Sequence, residues 1–186
     1  MISAVYDACV LYPASLRDLL LSLAKAKAVL PFWSEEIRDE WTRSLLRKRP
    51  NLKERQERTR REMDTHFPNS LVRGYESMIP TLQLSDPKDR HVLAAAIQAK
   101  VEYIVTFNLK DFPRTVLLPY GIEALPPDEF VLRLIQKNPN RVIEAVKNHR
   151  LRLVRPPKTV EEYLETLEKQ ELPKTVEFLR EHEFNI

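Results

Sequence analysis

The stretch SDPKDRHVLAAAIQAKVEYIVTFNLKD, residues 85–111, contains the pattern that decides the fold. It opens with a helix start, in which Asp86 can cap the helix and Pro87 suits the first helical position. The segment Val92–Ile97 is apolar nearly all round, which is typical of a helix buried against a sheet. The apolar run YIVTF, residues 103–107, then predicts a buried strand. A buried helix that leads directly into a buried strand indicates an α/β fold.

The N-terminal third of the chain repeats this alternation. Residues 2–7, ISAVYD, form a short apolar run that ends in an acid and predict a buried parallel strand. Pro13 then opens a leucine-rich helix. A second apolar run covers residues 28–33, and Ser34 after it is a good cap for the next helix. Strands and helices therefore alternate from the start of the sequence.

The order of these elements predicts a three-layer α/β/α sandwich with a central parallel sheet. We also expect a short edge strand over Thr115–Leu118. After Pro126 the pattern becomes helical and is interrupted by prolines. We accordingly divide the chain into a domain over residues 1–134 and a helical C-terminal extension over residues 135–186.

The composition excludes several classes of protein. The single cysteine permits no intrachain disulfide, which fits a reducing compartment. No signal peptide is visible because Asp7 interrupts the first apolar stretch, and the leucine-rich helix is too short and too charged to span a membrane. We therefore predict a cytoplasmic protein without membrane association. Two glycines are too few for a Gly-rich phosphate loop.

The net charge of +3 is only mildly basic, but its distribution is uneven. Between Arg38 and Arg61, ten Lys and Arg residues stand against four acids. This stretch is either the solvated surface of a helix or a surface that faces phosphates.

Polar residues follow the predicted strands at their carboxyl ends, where parallel sheets bind ligands. Asp7 ends the first strand, and Asn108 and Asp111 follow the YIVTF strand. Asp86 and Asp89 begin the intervening helix, three residues apart and so on one face. Each acid also has an ordinary alternative role, as a loop residue, a helix cap or a partner of the helix dipole. Their joint placement at one edge of the sheet favours a common site.

Glu40 is a further candidate, since it stands beside the apolar stripe of the helix that begins after Ser34. The pattern alone leaves Glu35 and Glu36 open as alternatives. Several carboxylates in one cleft repel each other unless some are protonated or a cation binds them. Oxygen ligands without a His or Cys set favour Mg²⁺ or Mn²⁺, and such ions suit phosphodiester hydrolysis. The four histidines are scattered, and we expect them on the surface or in the core.

Four segments, taken together, resemble the PIN-domain family, and in particular its bacterial branch of VapC-type toxins. They cover roughly residues 2–130 and occur in the family's order: VYDACVLYPASLRDLL, WSEEIRDEW, DPKDRHVLAAAI and VTFNLKDFP. The resemblance implies that the family's catalytic acids correspond to the following residues: Asp7, Glu40, Asp89 and Asp111. Asp7, Asp89 and Asp111 would bind the metal ion, and Asp86 and Asn108 would support them.

The resemblance implies a Mg²⁺- or Mn²⁺-dependent endoribonuclease that hydrolyses RNA. For toxin members it also implies an antitoxin protein that blocks the site, and frequent homodimers. Among the basic residues, we expect Arg43, Arg47 and Lys48 to contact RNA. Two alternatives stay open: a housekeeping nuclease for RNA processing or DNA that has no antitoxin, and a non-catalytic RNA-binding protein with the same fold.

Overall fold

The computed structural model describes residues 1–154 and 156–186. Its contacts divide the chain into two compact units. The sheet unit consists of Ser3–Tyr12 and Pro31–Leu125, and the helical unit consists of Met1–Ile2, Pro13–Leu30 and Pro126–Ile186. The boundary predicted after residue 134 stays a prediction.

A sheet of five strands is the centre of the fold, in the spatial order β3-β2-β1-β4-β5. Its strands are β1 (Ile2–Tyr6), β2 (Val29–Ser34), β3 (Leu71–Val72), β4 (Tyr103–Val105) and β5 (Glu123–Leu125). The pairs β1–β4, β2–β3 and β4–β5 are parallel. The α/β class with a parallel sheet, which the sequence predicted, is therefore confirmed.

The register of β1 and β4 brings the two predicted strand ends together. Tyr6 pairs with Val105, and the backbone N–H of Asp7 donates to the Val105 carbonyl at 3.1 Å. Asp7 and the residues after Val105 therefore leave the sheet side by side. The predicted site depended on β1 and β4 being neighbours in the sheet.

The helices of the sheet unit alternate with its strands along the chain. They are α1 (Ala8–Leu11), α3 (Glu35–Lys48), α4 (Lys53–His66), α5 (Arg90–Gln98) and α6 (Arg114–Leu117). Ser34 caps α3 as predicted, since its hydroxyl accepts from the N–H of Ile37 at 3.1 Å. In α5 the residues from His91 to Ala96 are all buried, so the burial predicted for Val92–Ile97 is confirmed except at Ile97, which is half-buried.

The helical unit comprises α2 (Ala14–Lys25), α7 (Pro127–Lys137), α8 (Pro139–Leu151), α9 (Val160–Glu168) and α10 (Pro173–Arg180). Four of the five leucines of α2 are buried, and this helix packs against α8. Buried Asp128 fixes the start of α10, because its carboxylate accepts from the N–H groups of Lys174 and Thr175 at 3.0 and 2.9 Å. The tail is therefore a packed helical structure.

Two local predictions need correction. The segment Thr115–Leu118 is not an edge strand, because Arg114–Leu117 is a short helix. The N–H groups of Val116 and Leu117 both donate to the Pro113 carbonyl, and Pro119 has no N–H with which to continue a strand ladder. The helix predicted from Pro87 begins with a 3₁₀ turn, Pro87–Asp89, before α5.

Across the described residues, no helix is both long and apolar enough to cross a membrane.

Candidate active site

Asp7 is buried and is held in a network of hydrogen bonds at the end of β1. Its Oδ1 accepts from the backbone N–H of Ala8 at 2.6 Å, so the side chain caps α1. Its Oδ2 accepts from the Thr106 hydroxyl at 2.7 Å and from the Cys9 thiol at 3.2 Å. Burial nevertheless raises the pKa of Asp7, more than these hydrogen bonds lower it. The carboxylate is thus placed in a fixed orientation at an electrostatic cost.

A cavity of about 350 Å³ opens beside Asp7 in the sheet unit. Its lining combines three of the predicted acids, one amide, one hydroxyl, two aromatic side chains and the residues that follow Asp7. The lining residues are Asp7, Ala8, Cys9, Tyr12, Glu40, Trp41, Ser44, Asp89 and Asn108. Segments far apart in sequence therefore meet in one polar cleft at the carboxyl ends of β1 and β4.

Asp89 is affected by the charges of the other predicted acids. Burial and then the negative charges of Asp7, Asp111, Asp86 and Glu40 raise its pKa to about 6. Every one of these influences raises the pKa, and none is a compensating cation. A carboxyl group in a cleft whose pKa is raised by burial and by neighbouring acids is a candidate for a functional site.

Asp111 and Asp86 lie outside the cavity lining but act on the same carboxylate. Asp111 is in the 3₁₀ turn Leu109–Asp111 that follows Asn108. Asp86 caps the next turn, because its side chain accepts from the N–H of Lys88 at 2.9 Å. The structure therefore brings Asp7, Glu40 and Asn108 into the cleft with Asp89, and leaves the other two predicted acids beside it.

His91 is a member of this site that the sequence did not reveal. It is only 4% exposed, and its Nε2 lies 3.5 Å from Oε2 of Glu40, with its Nδ1 3.8 Å from Oε2 of Glu36. Burial alone would lower the pKa of His91, but the hydrogen bond to Glu40 and the neighbouring carboxylates raise it overall. Sequence spacing gave no sign of the contact between His91 and Glu40, because the two residues lie on different helices. His91 also stands two residues after Asp89, so their side chains point in different directions.

Thr106 is a second residue that sequence reasoning missed. Besides its bond to Asp7, its Oγ1 accepts from the backbone N–H of Asn108 at 3.0 Å. One buried hydroxyl thus joins the ends of β1 and β4. The available signal was its position as a polar residue in the apolar run YIVTF, two residues before Asn108.

The predicted RNA-contacting residues occupy the second half of α3. Arg43, Arg47 and Lys48 are all exposed, and Nζ of Lys48 lies 5.6 Å from the ring centroid of Tyr12, which lines the cavity. Lys48 also shares a helix face with two other lining residues, Glu40 and Ser44, at intervals of four. This part of the basic stretch therefore borders the cleft.

Other members of the basic stretch have a structural role. Arg38 is 5% exposed and donates to Glu35 at 2.7 Å and to Asp64 at 2.5 Å. Arg60 donates to Glu35 and, at 2.7 Å, to Asp39. These ion pairs join α3 to α4. The two arginines therefore contribute to a network of opposite charges, and the surface left for phosphates is smaller than the sequence count suggests.

No three His, Cys, Asp or Glu side chains in the described part of the chain form a group that could hold a metal ion by themselves. The chemistry of the donors nevertheless fits a hard cation, since the cleft has oxygen donors whose mutual repulsion a cation would relieve. Mg²⁺ usually keeps several waters and binds protein through one or two carboxylates.

Comparisons with known proteins match nearly the whole chain in two parts. Residues 3–110 match the family described as PIN domain. Residues 127–181 match the family described as VapC50 C-terminal domain. The helical tail, which the resemblance seen in the sequence did not cover, therefore matches a family of its own.

One curated relative supports the same assignment. The chain is 49% identical over 72 residues to the protein named "Putative ribonuclease VapC50" of Mycobacterium tuberculosis. This similarity covers 37% of the present chain and 42% of the relative, so the chain spans less than half of that protein's length. No solved structure matches the chain significantly.

Proposed function

The chain belongs to the PIN-domain family, and on that premise we propose that it is an endoribonuclease, the toxin of a toxin–antitoxin pair. The observation that carries the proposal is the setting of Asp89 beside a polar cleft, where burial and then the charges of four other carboxylates raise its pKa to about 6. Such uncompensated acids at the ends of parallel strands suit a cation that acts on a phosphodiester.

The metal would be Mg²⁺ or Mn²⁺. Asp7, Asp89 and Asp111 would hold it, directly or through waters, with Asp86 and Asn108 supporting them. When bound, the ion would lower the pKa of a water and stabilise negative charge on the phosphate oxygens. Glu40 serves either as a ligand or as the base that positions the water.

The chain's own contacts prepare these residues for that role. The N–H of Ala8 and the hydroxyl of Thr106 donate to the two oxygens of the Asp7 carboxylate and so hold its orientation. His91 holds Glu40 from the buried side of the cleft. Fixed orientation before the substrate arrives lowers the reorganisation that the reaction requires.

RNA would be the substrate, with the exposed side chains of Arg43, Arg47 and Lys48 neutralising phosphates next to the cleft. The similar protein of Mycobacterium tuberculosis is named as a ribonuclease, and this supports RNA as the polymer. An antitoxin protein would cover the cleft, and a homodimer is the expected assembly. The match of the tail to the VapC50 C-terminal domain supports the toxin assignment over a housekeeping nuclease.

The direct test is cleavage of labelled RNA by the purified chain with Mn²⁺. We expect products with wild type, no products after addition of EDTA, and at least a hundredfold slower cleavage by Asp7→Asn or Asp89→Asn. Glu177→Gln, an exposed carboxylate of α10, is the matched control and should cleave normally. Full activity in the Asp7→Asn, Asp89→Asn double variant, or in EDTA, would refute the metal mechanism.

Expression in cells tests the toxin role separately. Induction should arrest growth, and co-expression of the adjacent small gene should relieve the arrest. Cleavage in vitro without growth arrest would favour a housekeeping nuclease, whereas tight RNA binding without products would favour a non-catalytic protein.

A further inference from the structure

Tyr12 has a position in the cleft that the cleavage chemistry leaves without a use. Among the nine residues that line the cavity, the two aromatic side chains are Tyr12 and Trp41. Trp41 is 1% exposed and belongs to the core, whereas Tyr12 is half-buried and keeps part of its ring at the cavity surface. An accessible aromatic ring is therefore present in a site that is otherwise acidic and polar.

The backbone fixes the distance between Tyr12 and the acids. Asp7 caps the start of α1, and Tyr12 ends the same turn, where its N–H donates to the Ala8 carbonyl at 3.0 Å. Five residues of helix correspond to a rise of about 7.5 Å. Because one short helix connects the two residues, the Tyr12 ring is held near Asp7.

Lys48 gives the ring a cationic neighbour. Its Nζ lies 5.6 Å from the centroid of the Tyr12 ring, within the range of a cation–π contact. Lys48 shares the face of α3 that carries Glu40 and Ser44 into the cavity. The cleft therefore offers carboxylates at one place and an aromatic ring with a positive charge at another. The aromatic ring suits the base of an unpaired nucleotide, and the positive charge suits its backbone phosphate.

We propose that Tyr12 stacks on an unpaired RNA base next to the cleaved phosphate while Lys48 contacts the neighbouring backbone. This proposal rests on the proposed ribonuclease function and deepens it by assigning base stacking to Tyr12 and a backbone contact to Lys48. A base within a duplex already stacks on both sides and has no face to offer the ring. Stacking tolerates any base, so Tyr12 selects for an unpaired nucleotide more than for its identity.

The test combines a protein change with a change in the RNA. Short single-stranded RNAs are cleaved by wild type, with an abasic nucleotide placed in turn at each position flanking the cut. At the stacked position we expect about a tenfold rise in KM, equivalent to about 1.4 kcal/mol. Tyr12→Leu should show the same tenfold rise with intact RNA and no additional loss with that abasic RNA. Tyr12→Phe retains the ring and should resemble wild type.

Controls separate this proposal from a folding defect and from failure of the ribonuclease assignment. Tyr120→Leu removes an exposed tyrosine that does not line the cavity, and it should leave the KM unchanged. A structural role for Tyr12 would slow cleavage of intact and abasic RNAs by the same factor and lower the Tm. The proposal would be overturned if wild type cleaves the RNA but an abasic nucleotide raises the KM of Tyr12→Leu as much as that of wild type at every position. Absence of wild-type cleavage would instead refute the proposed function.

Discussion

Replacing Asp89 by Asn should make the metal-free protein more stable. The pKa of this carboxyl is raised from 3.8 to about 6 by burial and by its acidic neighbours, so the folded protein disfavours the charged form. The structure shows no side-chain capping bond from Asp89 to α5 that the amide would break. The variant therefore removes a repulsive charge at little cost to local structure.

The size of the effect follows from the raised pKa. The difference corresponds to about 3 kcal/mol if it acted in full. Solvent screens a partly exposed carboxylate, so we expect a gain of about 1 to 2 kcal/mol in the free energy of unfolding. For a chain of this size that corresponds to a rise in Tm of about 2 to 8 °C.

The pH dependence gives the prediction its sign. Because the folded pKa lies above the ordinary one, the destabilisation by Asp89 is absent below about pH 4, grows as the pH rises, and is complete above about pH 6. Thermal unfolding in EDTA should thus show a gain for Asp89→Asn at pH 7.5 and little gain at pH 4. Adding Mn²⁺ should raise the Tm of wild type more than that of the variant. An equal or lower Tm at pH 7.5, with Glu177→Gln as the control, would refute this account of the acidic site.

Three further predictions concern other buried groups. Thr106→Val should raise the Mn²⁺ concentration needed for half-maximal cleavage by about 10- to 100-fold, because Asp7 loses a hydrogen bond that orients it. Thr106→Ser keeps the hydroxyl and should behave like wild type. Equal losses in both variants, measured by metal titration, would contradict this. Burial, followed by the charge of Arg152, lowers the pKa of His149 from 6.5 to about 4, so stability should fall by up to about 3 kcal/mol as the pH drops through this interval. Denaturant unfolding should show a smaller acid dependence in His149→Gln. Asp128→Ala should destabilise the fold by about 2 to 4 kcal/mol, because it leaves buried donors at the start of α10 unpaired, and unchanged urea unfolding would exclude that.

The sheet and the strand-end acids were predictable because their signals are local and repeated. A short apolar run followed by a polar residue, Asp7 or Asn108, identified the ends of β1 and β4, and the buried helix between them indicated a parallel sheet. The short elements were harder. The helix Ala8–Leu11 is a single turn, too short to show a period, and its start depends on the cap supplied by Asp7. The apolar letters of Thr115–Leu118 resemble a strand, but the prolines on either side determine which hydrogen bonds can form there.

Periodicity alone could not choose among the glutamates of α3, because their roles depend on contacts between distant segments. Glu35, Glu36 and Glu40 occupy one helix, and no periodicity distinguishes their functions. In the structure Glu35 is bound to Arg38 and Arg60, so its charge is committed to the junction of α3 and α4. Glu36 and Glu40 are four apart and share a face with His91 between them, but Glu40 is the one that lines the cavity with Asp7. The choice among three equivalent letters is therefore made by the partners that α4 and α5 supply, and a single sequence contains those partners without indicating which glutamate each will meet.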